Sequence, residues 1–254
     1  MLFYREYKNE TSEKWVVCIH GIGGSSTIFA NQIKELKKHF NLLLIDLRGH
    51  GKTGVIPANQ EYDFELLCND IIEVLDHLNI EKAMFLGVSL GTLLIKKMHK
   101  MAPERIEKSL LAGAITTYNK RMKFWLRIGL LIKNILPYMW LYSFFAWVLM
   151  PKNNHKHSRI MFIREAKRMN QKEFLRWFDL VHQVEDIHLD LVKEPSSIPT
   201  LYVMGKEDYM FLETVKKDIQ KDPYSELRII ENSGHVCNVD QVTRFNQIAV
   251  DFLR

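Results

Sequence analysis

The chain has 254 residues, 47% of them hydrophobic and 26% charged, and a net charge of +5. These values suit one large α/β domain or two small ones with a sizeable core, and they exclude a disordered or fibrous chain. The modest charge, with no nucleic-acid module and no Walker-type phosphate loop, argues against a nucleic-acid partner or a nucleotide triphosphatase.

Short β-rich runs alternate with helical spacing along most of the chain. Leu2–Tyr7 opens as a peripheral strand, and WVVCI (15–19) follows it. The Gly-rich stretch HGIGGS (20–25) then leads into helical spacing over Thr27–Lys38. LLLID (42–46) is the next strand and runs into the turn DLRGHG (46–51). Phe64–Leu78 reads as a helix, AMFLGV (83–88) as a strand, Leu90–Met101 as a helix and SLLAG (109–113) as a strand. After an interruption, TLYVMG (200–205), a helix over Phe211–Lys221, ELRII (226–230) and a helix over Val239–Leu253 resume the alternation. The expected fold class is α/β, a mostly parallel central sheet flanked by helices. Residues 1–115 and 196–254 form this core, and 116–195 form an inserted helical cap.

The insertion lacks clear strands and is rich in Trp, Phe, Met and basic residues. Its oddest part is ILPYMWLYSFFAWVLM (135–150), sixteen residues without a charge. A spanning helix needs about 20 apolar residues, and Pro137 interrupts this shorter run, so a cap covering a pocket is the better reading. Weak peripheral membrane contact is a second use of the same face. Trp125, Tyr138, Trp140, Phe144, Phe145 and Trp147 are the candidate substrate-binding residues, since they offer more aromatic surface than a short exposed helix pair needs.

Chemistry is concentrated in four places. Gly87-Val88-Ser89-Leu90-Gly91 matches G-x-S-x-G between a strand and a helix, the setting of a strained turn that exposes a nucleophilic serine. A serine hydroxyl needs a base, and His235 in NSGHVCNVD lies between the final strand and the final helix, where its loop leaves the same sheet edge. Asp208 in VMGKEDYMF leaves that edge one unit earlier and suits the acid that orients the histidine. Neighbouring Glu207 is read as solvent-facing, because adjacent residues in a turn rarely aim alike. The backbone N–H groups of Ile22 and Leu90 are the expected oxyanion donors. His20 is read as bracing the Gly-rich loop and His50 as structural.

Three widely spaced cysteines, Cys18, Cys68 and Cys237, form neither a disulfide framework nor a zinc pattern. The N-terminus, MLFYREYKNE, has no apolar signal core. Together they point to a cytoplasmic location. No metal or organic cofactor is expected.

The order Ser89, Asp208, His235, with HGIGG early and DLRGHGKT between, resembles the α/β-hydrolase fold superfamily. It is similar to the branch of small carboxylesterases, monoacylglycerol lipases, C–C bond hydrolases and serine-type haloperoxidases. The likeness spans residues 2–113 and 199–253, with 116–195 in the position of the family's cap. Haloalkane dehalogenases and epoxide hydrolases of this fold carry aspartate where this chain has Ser89, which argues against both activities. The resemblance implies a serine hydrolase for a fairly apolar small-molecule ester, of medium acyl chain or monoglyceride-like. The same site suits a C–C bond, lactone, amide or thioester. A low-turnover ligand receptor on the hydrolase fold is the alternative from another class.

Overall fold

The computed structural model describes residues 1–56, 61–193, 196–220 and 222–254. Lys221, where one expected helix ends, and residues 194–195, the end of the expected insertion, lie outside the described residues. Seven strands form one sheet: β1 (Phe3–Tyr7), β2 (Trp15–Ile19), β3 (Asn41–Asp46), β4 (Ala83–Val88), β5 (Ile106–Ala112), β6 (Thr200–Gly205) and β7 (Ser225–Ile230). Their order is β1-β3-β2-β4-β5-β6-β7. β1 pairs antiparallel with β3, placing Phe3 opposite Asp46, and every other pair is parallel. Every residue of β3, β4 and β6 is buried, as strands covered on both faces require, and their near-continuous apolar sequences follow from that burial.

The helices of the core are α1 (Ala30–Leu36), α2 (Phe64–His77) and α3 (Leu90–Met101). Between β5 and β6 come α4 (Lys120–Ile132), α5 (Tyr138–Leu149), α6 (Lys156–Ala166), α7 (Gln171–Asp179) and α8 (Val184–Lys193). After β6 come α9 (Leu212–Ile219), α10 (Cys237–Asp240) and α11 (Val242–Leu253). α1 packs on α11, and α2 and α8 pack on α3. Buried apolar residues form one continuous cluster that runs from the sheet, through Phe85 and Leu111, into Tyr142, Phe174 and Trp177 of the inserted helices.

Two expected helices have a different shape. The helix expected over Thr27–Lys38 begins as a 3₁₀ turn, Ser26–Phe29, where the Ser25 side chain accepts from Thr27 N–H, and becomes α-helical only at Ala30. The one expected over Val239–Leu253 divides at Gln241, whose backbone leaves helical geometry at φ −134° and ψ 63°. The preceding turn is tied elsewhere: Asp240 Oδ2 accepts the N–H of Gly234 at 2.8 Å. The uncharged run 135–150 gives the single helix α5, with Pro137 at its N-cap. No helix among the described residues is long and apolar enough to cross a membrane.

Candidate active site

Ser89 occupies the turn from β4 into α3, at φ 54° and ψ −122°. Such a conformation is strained for a residue with a side chain, and three bonds hold it. Ser89 N–H donates to Ala112 O (3.0 Å), and Ser89 O accepts both the Thr92 N–H (2.9 Å) and the Thr92 hydroxyl (2.6 Å). The turn also needs small neighbours. A Cβ on Gly91 would overlap the carbonyl oxygens of Ile19 and His20, and one on Gly21 would stand 2.9 Å from Ser89 Cβ. The loop after β2 is thereby pressed against the serine.

His235, in the loop between β7 and α10, is fully buried. Its Nδ1 lies 2.8 Å from Asp208 Oδ2, and its Nε2 lies 2.9 Å from Ser89 Oγ. Because an ionised carboxylate only accepts, the network assigns the proton to Nδ1, leaving the Nε2 lone pair for the serine hydroxyl. Asp208 is itself fixed through Oδ1, which accepts the N–H groups of Met210 (3.3 Å) and Phe211 (3.2 Å). The structure thus brings Ser89, His235 and Asp208 into one hydrogen-bonded line.

Ile22 and Leu90, the expected oxyanion donors, both border the cavity beside Ser89. Among the described residues neither of their backbone N–H groups has an acceptor. Their loop is braced on two sides. Tyr142 donates its hydroxyl to Ile22 O (3.0 Å), and His50 Nε2 accepts the N–H of Gly23 (2.8 Å). His20 Nε2 accepts the N–H of Leu47 (3.0 Å) while its Nδ1 lies 2.8 Å from Gly21 O. Burial lowers the pKa of both histidines, which keeps them neutral so that each can donate and accept at once. The 46–50 turn is held in its turn by the bidentate Arg48–Asp70 pair (2.6 and 2.7 Å) and by Trp177 Nε1–H, which donates to Arg48 O.

Glu207, expected to face solvent, is partly buried and held by partners. Its carboxylate receives Lys152 Nζ (2.7 Å), Asn154 Nδ2 (2.8 Å) and His155 Nε2 (2.8 Å) from the segment between α5 and α6. Burial works to raise its pKa, but hydrogen bonds from Asn154, Lys152 and His155 pull it down to about 2. The buried His155 ring lies against Gly234, where a Cβ would come within 2.8 Å of it. The segment is therefore clamped to the loops that carry Asp208 and His235. No local pattern announced this contact, because its partners lie more than fifty residues apart.

Above Ser89 is a cavity of about 90 Å³. Ile22, Leu93 and Phe211 line its sheet side, and Met122, Tyr142, Phe145, Phe162, Phe174 and Phe178 line its helical side. Of the six aromatic residues expected to bind substrate, only Phe145 lines it. α5 turns Leu141, Tyr142, Phe145, Ala146 and Leu149 inward, which puts Trp140, Phe144 and Trp147 on the opposite, solvent side. Trp125 packs edge-on to Phe144 instead, and Tyr138 donates its hydroxyl to the carbonyls of Ala166 and Met169. Tyr142, Phe162, Phe174, Trp177 and Phe178 do line the cavity and were missed. The spacing of Phe174, Trp177 and Phe178 on α7 was the available signal, an i, i+3, i+4 apolar face.

All three cysteines are buried, and burial pushes each thiol up, away from the reactive thiolate. No cluster of three or more His, Cys, Asp or Glu among the described residues is arranged to hold a metal ion.

The family described as alpha/beta hydrolase fold matches residues 14–140. The proposed carbamate hydrolase RutD of Agrobacterium fabrum is 26% identical over 92% of this chain and 90% of its own. The enol-lactonase of Burkholderia xenovorans superposes with a TM-score of 0.80 at 20% identity, over 99% of this chain and 96% of that one. An esterase from Exiguobacterium antarcticum superposes with a TM-score of 0.82 at 19% identity, over 99% and 95%. These structural likenesses are those of a shared fold.

Proposed function

Since the chain belongs to the α/β-hydrolase fold family and is a hydrolase, we propose that it cleaves carboxylic esters of apolar substrates through an acyl-enzyme on Ser89. The observation that carries this reading is the buried line Asp208–His235–Ser89 ending at an almost wholly hydrocarbon cavity. His235 Nε2 takes the hydroxyl proton as Ser89 Oγ attacks the ester carbonyl, while Asp208 holds the imidazole and balances its positive charge. The oxyanion forms against the N–H groups of Ile22 and Leu90. His235 then gives its proton to the departing alcohol, and a water activated by the same nitrogen attacks the acyl-serine, releasing the acid and restoring Ser89.

The cavity supports an apolar acyl group and sets its size. At about 90 Å³ it is smaller than the roughly 150 Å³ apolar cavity that admits benzene. A short acyl chain fits as the helices stand, and longer chains require α4–α8, acting as a cap, to part. Carbamates, lactones and thioesters pass through the same oxyanion, and the likeness to RutD favours a carbamate as the second reading.

One panel tests both. Aryl esters of increasing chain length, a lactone, a thioester and a carbamate are assayed on wild type and Ser89→Ala. We expect ester turnover to peak at a short chain of roughly two to four carbons and to fall at least about 10³-fold in Ser89→Ala. Rapid labelling of Ser89 by a fluorophosphonate should accompany it. Wild-type activity in the alanine variant would remove Ser89 as nucleophile. A single slow turnover with a large ligand-induced thermal shift would instead favour a receptor.

A further inference from the structure

The face that α4 and α5 turn away from the cavity is unusually apolar for a surface in water. Leu131 is 78% exposed, Ile135 77% and Trp140 72%, and Phe124, Phe144 and Trp147 are also exposed. Trp140, Phe144 and Trp147 follow i, i+4, i+7 on α5, while Phe124 and Leu131 stand two turns apart on α4. Edge contacts from Phe124 to Trp125 (5.1 Å between centroids) and from Trp125 to Phe144 (5.0 Å) join the two stripes into one patch. Contiguous exposed apolar surface of this kind marks an interaction site.

Charge identifies the partner. Residues 116–164 contain nine Lys and Arg and no Asp or Glu. Lys120, Arg121 and Arg127 are exposed on α4 beside Phe124 and Leu131. Lys123, Lys133 and Lys152 already pair with Glu185, Asp179 and Glu207. The buried Arg159 stacks its guanidinium 3.5 Å from the Trp147 ring centroid while donating to Met150 O, so Lys120, Arg121 and Arg127 are the cations this face offers to a partner. A second copy of the chain would set these cations against themselves. A nucleic acid or acidic protein would satisfy them but leave Leu131 and Ile135 in water. An anionic lipid surface satisfies both sets, offering negative headgroups to the cations and an acyl boundary to the rings and aliphatic chains.

We propose that the outer face of α4 and α5, with Ile135 of the turn between them, docks on anionic membranes, seating Trp140, Phe144, Trp147, Leu131 and Ile135 at the headgroup–acyl boundary. Lys120, Arg121 and Arg127 pair with the headgroups. Docking is peripheral, and it does not depend on the reaction assigned above. One consequence does rest on that reading. Tyr142, Phe145 and Leu149, on the inward face of the same α5, line the cavity, so a single helix separates bilayer from Ser89. Lipid-borne esters are then the substrate class within reach.

The test is vesicle co-sedimentation of the Ser89→Ala chain, with tryptophan emission followed in parallel. Vesicles of phosphatidylcholine alone are compared with vesicles containing roughly one-third phosphatidylglycerol. We expect at least about tenfold tighter binding to the anionic vesicles, a blue shift of emission, and release in high salt. Leu131→Ser with Trp140→Ser should weaken binding about tenfold, and Lys120→Glu with Arg127→Glu should abolish the preference for anionic lipid. In the Ser89 background both pairs should keep wild-type turnover of a soluble short ester, which shows that they fold. No binding to anionic vesicles, equal binding by the variants, or a stable dimer that covers the patch would overturn the proposal. Vesicle binding without ester turnover by wild type would sink the esterase reading alone, and turnover without vesicle binding would sink the docking alone.

Discussion

At Ser89 the backbone holds a conformation that costs a side-chain-bearing residue about 1–3 kcal/mol, and the neighbours that impose it are as specific as the serine. Gly21 is one of them. A methyl at Gly21 would stand 2.9 Å from Ser89 Cβ and 3.1 Å from the Val88 carbonyl oxygen, so the loop and the turn must separate. Gly21→Ala should therefore cut turnover more than tenfold in a chain that still folds, as circular dichroism and ester kinetics would show. Ile22→Val, which changes no backbone donor, should leave turnover within about twofold. A second residue-scale effect lies away from the serine. Lys96 on α3 is buried, and burial lowers its pKa from 10.5 to about 8, against the opposing pull of Asp218 and Asp222. Between these two values the unfolded chain holds the proton that the folded chain has lost, so this group makes stability rise with pH from about 8 to 10.5. Below pH 8 both states are charged and the full penalty applies. Lys96→Met should then stabilise the protein by about 1–3 kcal/mol at pH 7, with the gain shrinking toward pH 10.5. Urea denaturation at the two pH values measures it.

At the scale of elements, the contact that matters most for the site joins the α5–α6 segment to the turn after β6. Glu207 is a positioning residue there: it gathers Lys152, Asn154 and His155 next to Asp208. Its depressed pKa means that the stabilisation is complete above about pH 4.5 and is lost as pH falls toward 2. Glu207→Gln should lower Tm at pH 7, and the difference from wild type should close across that acid window in a thermal-melt series. Turnover should fall several-fold as the Asp208 turn loosens, while labelling of Ser89 persists. Much of this level was readable in advance. The inner strands β2, β3, β4 and β6 were legible because parallel strands buried on both faces are written as short, nearly unbroken apolar runs, whereas the edge strands β1 and β7 carry polar, partly exposed residues. The Ser89 turn was legible because glycine, strand and helix coincide there. Two things were not. α5 is apolar on almost every side, so its own sequence does not mark an inward face, and rings on α7 settle which side is buried. Glu207 looked exposed because its partners come from a distant stretch that no local period connects to it.

Over the whole molecule, charge is divided unevenly. Residues 116–164 hold nine of the 35 Lys and Arg and none of the 30 Asp and Glu, leaving the remainder of the chain at a net −4. On the docking proposed above, this asymmetry would turn the inserted helices toward negative surfaces over about a Debye length, and its effect should fade in high salt. The other global feature is the continuity of the core. Around the cavity above Ser89, buried apolar packing among the described residues runs on from the sheet into the inserted helices, and Trp177 both lines the cavity and reaches Arg48 O. Heating should consequently melt the protein in one calorimetric transition, and two resolved peaks would show that the helices fold independently. The same continuity governs how bulky molecules enter. For helices that share a core with the sheet, parting means unpacking side chains that touch both, and we expect such opening to carry an enthalpic barrier. Turnover of a long-chain ester should therefore climb more steeply with temperature than turnover of a short one, the difference in apparent activation enthalpy being the heat needed to loosen that seam.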